Sequence, residues 1–243
     1  MKFLFIVGCG HSGTSLLLAM FANCQHVHAI TNETEILLKS PIKEFIKKYN
    51  NLENKNIRLV VEKTPRHVYK LKEITSEEHS SALVLLRNPL DVVASLKKRG
   101  FPLMTCIRRY KNDNNAWLNY QNKKNVKILK YEELVTKTQE VLEDLGQAYD
   151  LDLVSANRKR LTDKRVYFKN MGGAEIRKTD GKGHRNHISL RNFQVRQEVS
   201  NMNGQWKERL SKKELEIVVK ELNHHIKILK YEECFKYKFE LNL

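Results

Sequence analysis

Cysteine is scarce in this chain of 243 residues. The four present, Cys9, Cys24, Cys106 and Cys234, are scattered with no Cys-x-x-Cys pair. That scatter argues against a zinc cluster and against a disulfide framework. Histidine is more plentiful, but neither His26-x-His28 nor His224-His225 has a third ligand at a suitable spacing, so no metal site is expected. Long apolar runs are missing too. The opening run, Phe3 to Val7, is shorter than the roughly 7–15 residues of a signal-peptide core, and nothing approaches the roughly 18 apolar residues of a membrane span. The expectation is a cytoplasmic protein with no membrane span. No RNA-binding aromatic motif and no helix-turn-helix is evident, so no nucleic-acid partner is expected. Negative charge is in deficit: 28 Asp and Glu face 44 Lys and Arg, a formal net charge of +16. Such an excess suits anionic partners such as nucleotides or acidic glycans, or else it is a lysine-rich solvated surface.

What is present reads as one globular α/β domain over residues 1–243, since 41% of the residues are hydrophobic and 30% charged. Phe3 to Val7 is a continuous apolar run, as in a strand buried on both faces. Residues 14–23 read as a helix and the polar stretch 24–35 as irregular. Ser40 and Pro41 look like N-cap and N1 of a helix carrying Ile42, Phe45, Ile46 and Tyr49. Residues 57–67 are strand then turn. In 81–100 a strand ends at Arg87, Asn88 caps, Pro89 opens a helix and Gly100 ends it. Ile107, Tyr110, Asn114 and Trp117 share a helical face with Asn114 as its weak point. "VKILKY" (126–131) is a fourth strand. Thr136-x-x-Gln139 reads as a capping box, and Ser211 caps a last amphipathic helix through Leu215, Ile217, Val218 and Leu222.

Strands alternating with helices predict a three-layer α/β/α fold on a central parallel sheet, of the P-loop nucleotide-kinase kind. The basic, glycine-bearing stretch 157–204 is a candidate lid or cap, or a plain surface loop. The heptapeptide "KILKYEE" occurs at 127–133 and again at 227–233 with unmatched flanks, and reads as coincidence rather than as a repeat.

Chemistry concentrates at strand ends. In "VGCGHSGTS", Gly8 and Gly13 have the G-x-x-x-x-G spacing of a phosphate loop, but Thr14 and Ser15 stand where an ATP-binding loop has lysine and then a hydroxyl. Glycines let the backbone approach an anion, and a helix N-terminus presents N–H groups to it. Phosphate binding survives; what is lost is the lysine that reaches the β- and γ-phosphates. "RNPLDVVAS" places Arg87 at a strand end and Ser95 in the following helix, a guanidinium and a hydroxyl that can share one phosphate. Ligands of open α/β sheets bind beyond the carboxyl ends of strands, so the loop, Lys63 and Arg87 should converge on one crevice.

With these motifs the chain resembles the sulfotransferases that use 3′-phosphoadenosine 5′-phosphosulfate, PAPS. "HSGTS" (11–15) is similar to that family's 5′-phosphosulfate loop, "RNPLDVVAS" (87–95) to its 3′-phosphate segment, and "EKTP" (62–65) to a segment of its glycan-modifying branch. "WLNY…ILKYEEL" (117–134) and "GQWKERLSKKEL" (204–215) resemble later landmarks. The resemblance covers most of 1–150 and a piece near 205–222. It implies metal-independent transfer of a sulfuryl group from PAPS to a hydroxyl or amine, leaving the bisphosphate PAP. It implies donor contacts from Gly10, His11, Ser12, Gly13, Thr14, Ser15, Arg87 and Ser95, and stabilisation of the leaving oxygen or of a sulfuryl oxygen by Lys63. The implied base is Glu33; Glu35 and His11 remain open as alternatives. His11 departs from the family's Lys or Arg, so the positive charge there becomes conditional. The acceptor is left open among a glycan, a tyrosyl peptide and a small alcohol, as is the oligomeric state. Two other readings stand beside this one: a nucleoside-kinase-like phosphotransferase, and an anion- or glycan-binding module without chemistry.

Overall fold

The molecule is built around strand β1 (Lys2–Gly8), whose residues from Phe3 onward are all buried. The computed structural model describes residues 1–30, 33–162 and 202–235. After β1 come helix α1 (Thr14–Ala22), strand β2 (Val27–Ile30), helix α2 (Ile42–Tyr49), strand β3 (Leu59–Lys63), helix α3 (Leu71–Ser76), strand β4 (Ser80–Leu86) and helix α4 (Pro89–Lys97). Helix α5 (Leu103–Leu118), strand β5 (Val126–Lys130), and helices α6 (Tyr131–Thr136), α7 (Thr138–Tyr149) and α8 (Leu153–Thr162) follow. Two helices, α9 (Lys212–Glu221) and α10 (Asn223–Ile228), lie beyond the basic stretch. That stretch, 157–204, falls for the most part outside the described residues.

The sheet is parallel throughout, in the order β2-β3-β1-β4-β5. Alternation along each strand divides the core into the two expected faces. Phe3, Phe5, Val7, Val60 and Val84 pack with Leu96 of α4, Ile107 and Tyr110 of α5 and Val218 of α9. Leu4, Ile6, Leu59, Val61, Leu83 and Leu85 pack with Leu17, Leu18 and Phe21 of α1 and Leu142 and Leu145 of α7. The result is the predicted three-layer α/β/α arrangement.

Three local expectations need correction. The stretch 24–35 is not irregular throughout: Val27–Ile30 is the edge strand β2, paired among the described residues only with β3 and half-buried, so its pattern is weak. Helix α2 begins at Ile42 with Pro41 as its N-cap, one residue later than Ser40 and Pro41 suggested. Thr136 caps nothing downstream. It ends α6, its hydroxyl donates back to Glu132 O at 2.7 Å, and Gln139 bonds Glu143 at 2.9 Å. The Ser211 capping box is present with both of its bonds, and Asn88 caps α4 by accepting from the Leu90 N–H at 2.9 Å. Asn114 is buried but satisfied, donating to Tyr110 O (2.9 Å) and accepting from Trp117 Nε1 (3.2 Å).

The two "KILKYEE" copies adopt different structures. The first is β5 running into α6; the second spans the end of α10 and the turn after it. They meet in space: Lys130 Nζ donates to Lys230 O at 2.9 Å and lies 4.3 Å from the centre of the Tyr231 ring, while Tyr231 OH donates to Glu132 Oε2 at 2.9 Å.

Candidate functional site at the carboxyl ends of the strands

Because β3, β1 and β4 are adjacent and parallel, their carboxyl ends open on one edge. Ile6 pairs with Lys63, and Gly8 with Leu85, so the loop after β1 lies between Lys63 on one side and Arg87 on the other. The register thus brings the loop, Lys63 and Arg87 to the same edge of the sheet.

The loop runs from Gly8 to Gly13, which is the N-cap of α1 in the left-handed region at φ 88. A Cβ on Gly13 would lie 2.5 Å from the Tyr131 ring, so both backbone and space call for glycine. Leu16 and Leu17 donate to Gly13 O, which leaves the first N–H groups of α1 outside the helical ladder and turned to the loop. Ser12 is fully buried, and its hydroxyl has no hydrogen-bond partner among the described residues. Thr14 is buried and Ser15 half-buried. A buried hydroxyl with an unmet hydrogen-bonding capacity, beside a helix N-terminus, fits an anion in the loop.

His11 is the junction of the site. Its backbone is left-handed at φ 72. Its Nδ1 lies 2.9 Å from Ser95 Oγ, and its carbonyl accepts from Arg87 Nη1 at 3.1 Å. Arg87 also donates through Nη2 to Met202 O (2.8 Å), and its guanidinium carbon sits 4.3 Å from the centre of the Tyr131 ring. Its Nε is buried without a partner among the described residues. Arg87 and Ser95 thus reach one loop residue from the end of β4 and from α4. Asp91, one turn before Ser95, accepts from the Gly204 N–H (2.9 Å) and the Trp206 N–H (3.2 Å) and fastens the "NGQW" segment to α4.

On the other side Lys63 is 2% exposed and its ammonium contacts Glu33 Oε1 at 2.5 Å; the Glu33 side chain is 34% exposed. Glu35 points elsewhere, 3.9 Å from both Lys39 and Arg66. Glu62 does not line the crevice. It is completely buried and accepts from the Thr34 hydroxyl (3.0 Å), the Thr64 hydroxyl (2.5 Å) and His67 Nδ1 (3.0 Å). The Leu37 N–H donates to His67 Nε2 at 3.3 Å, which puts the imidazole proton on Nδ1, facing Glu62. Glu62 of "EKTP", together with His67, therefore ties the Glu33 segment to the end of β3 and holds Glu33 beside Lys63.

One cluster escaped the sequence reading. Arg109 of α5 packs against Gly10, and its Nε lies 3.7 Å from Asp113 Oδ2. Tyr69 OH donates to Asp113 Oδ1 at 2.5 Å. Burial, then Asp113, push the Tyr69 phenol above its ordinary range, and the same causes raise the fully buried Cys9 thiol, which stays protonated. The available signal was the Arg109-x-x-x-Asp113 spacing, which places both on one helix face. Among the described residues, no three His, Cys, Asp or Glu side chains gather to hold a metal ion, and no helix is long and apolar enough to cross a membrane.

No family model and no curated protein sequence matches the chain. Solved structures do. The sulfotransferase domain from the curacin biosynthetic pathway superposes with a TM-score of 0.62 at 16% identity, over 91% of this chain and 97% of that one. A mouse sulfotransferase complexed with PAP gives 0.56 at 15%, over 98% and 88%. A sulfotransferase from Mycobacterium avium gives 0.53 at 9%, over 93% and 76%. The likeness extends along nearly the whole chain: the chain has the fold of the sulfotransferases.

Proposed function

We propose that this chain is a metal-independent sulfotransferase that uses PAPS as donor and a hydroxyl or amine as acceptor. The observation that carries the reading is the junction at His11, where a lysine-free phosphate loop, Arg87 and Ser95 are bonded together. Two anion-binding elements side by side, with no lysine for a γ-phosphate, suit a ligand with a 5′-phosphosulfate and a separate 3′-phosphate.

When bound, PAPS supplies a sulfuryl group on a phosphate leaving group. The N–H groups of Gly10 to Thr14 and the hydroxyls of Ser12, Thr14 and Ser15 hold the phosphosulfate. Arg87, through Nε and its remaining N–H groups, and Ser95 hold the 3′-phosphate. Glu33 takes the proton that the acceptor gives up as its oxygen bonds to sulfur. Lys63 and the loop N–H groups offset the charge left on the departing phosphate oxygen. His11 donates from Nε2 while Ser95 engages Nδ1. Positioning and fixed charge do the catalysis, as in phosphoryl transfer. The acceptor is a glycan, a tyrosyl peptide or a small alcohol.

Thermal unfolding with PAP, ATP and GTP, each with and without Mg²⁺, tests the reading. Stabilisation by PAP alone, independent of the metal, is expected. Stabilisation only by ATP with Mg²⁺ would overturn it in favour of phosphoryl transfer.

A further inference from the structure

The loop carries three glycines, and the backbone demands only two of them. Gly8 and Gly13 lie at φ 130 and φ 88, whereas Gly10 is not in the left-handed region. The neighbour that a side chain at Gly10 would meet is Arg109: a Cβ there would lie 2.7 Å from Nη2 and 3.4 Å from the guanidinium carbon. The absence of a side chain lets a guanidinium from α5 come down on the loop backbone.

That guanidinium is held from behind. Its Nε faces Asp113 at 3.7 Å, and Asp113 is itself buried and fixed by the Tyr69 hydroxyl. The Arg109 side chain is 38% exposed, so its Nη groups meet both the loop and solvent. The other cationic candidates at the loop are engaged: Lys63 with Glu33, Arg87 with two backbone carbonyls, and the His11 ring with Ser95. Arginine keeps its charge at any working pH, and its planar fork matches a group that bears charge on several oxygens.

We infer that Arg109 binds the sulfuryl oxygens at the Gly10 side of the loop as a permanent cation of the transfer site, with Asp113 as its positioning residue. This rests on the PAPS reading above. It assigns to α5 a charge that the loop sequence itself does not carry, and the bare Gly10 gives that charge room beside the loop backbone.

PAPS and PAP differ only in the sulfuryl group, so the pair isolates the contact. Titration calorimetry of the wild type, Arg109→Ala, Arg109→Gln and Arg109→Lys with each ligand is the test, with each variant's melting temperature taken first. Losing a charge-assisted contact should weaken PAPS by about tenfold in Arg109→Ala and Arg109→Gln. PAP affinity should stay within about twofold of wild type, and Arg109→Lys should fall between. If Arg109→Ala fails to fold, Arg109→Gln, which keeps most of the bulk, gives the answer. PAPS and PAP weakened equally, or neither weakened, would overturn the assignment while leaving the donor reading intact. A wild type that binds neither ligand would overturn both.

Discussion

At Gly13 the chain must turn into α1 with a positive φ and must leave room for the Tyr131 ring, so two independent constraints fall on one residue. Gly10 carries only one, and it is soft, because the atom a Cβ would meet is the far end of a half-exposed arginine. The two glycines should therefore behave differently. Gly13→Ala should lower stability by about 2–4 kcal/mol, from left-handed strain and overpacking together. Gly10→Ala should stay within about 0.5 kcal/mol of wild type, since the guanidinium can swing toward solvent. Urea unfolding of both variants checks this; equal losses would mean that the Arg109 contact is as rigid as the Tyr131 one. The glycine turn between β1 and α1 was legible from Gly8 and Gly13 because its residues are contiguous. The Arg109 contact was not, since it joins residues far apart in the chain; the Arg109-x-x-x-Asp113 spacing sets Arg109 apart from Arg108 but says nothing of the loop that it meets.

At the level of elements, the site depends on segments pinned to strand and helix ends by buried carboxylates. Glu62 holds the Glu33 segment through Thr34 and His67, and Asp91 holds the segment 202–206 through two N–H groups. The second tether also positions Met202 O for Arg87. Asp91→Ala leaves two N–H groups without their acceptor and frees the strip that braces the guanidinium. We expect a stability loss of about 2–6 kcal/mol at about 1–3 kcal/mol per unpaired donor, and a smaller thermal shift with PAP. Asp91→Asn keeps one acceptor oxygen and should lose about half as much. Wild-type urea midpoints and wild-type PAP shifts in Asp91→Ala would mean that the segment is held by Trp206 packing instead. The sequence showed these elements unevenly. Buried strands and capped helices such as β4–α4 were readable because one short stretch carries both the apolar run and the cap. Edge strand β2 was hidden because an edge needs only one partner and little apolar surface. The Thr136 box was misread because the same hydroxyl can close the preceding helix. Glu62 could be quoted as part of the "EKTP" motif, but its task with His67 and Thr34 appears only once the chain is folded.

For the whole molecule, the charge of +16 sets how stability responds to acid. Lowering the pH adds histidine charge to a chain already strongly positive, and self-repulsion grows. A local contribution has the same sign. His225 is buried on α10, bonded through Nε2 to Asn115 Oδ1 at 2.8 Å, with Nδ1 buried. Its surroundings oppose a proton: burial first, then His224 beside it and Lys111 on α5, whose ammonium pairs with Glu221, all with the Tyr110 ring against it. These hold its pKa below the ordinary 6.5. The unfolded chain therefore takes up a proton at a pH where the folded chain does not. The stability that neutral His225 contributes is complete above the unfolded pKa and is lost as the pH falls through about 6.5 toward the folded value. Salt separates the two contributions. At about 1 M salt the Debye length is about 3 Å and surface repulsion is largely screened, while the cost of charging a buried ring is not. Urea midpoints measured between roughly pH 7.5 and pH 5.5 at that salt should still fall for the wild type, and the fall should be smaller in His225→Asn. The comparison is between slopes, so a uniform destabilisation of the variant does not disturb it. Identical slopes would place the acid sensitivity in the overall charge and remove His225 from it.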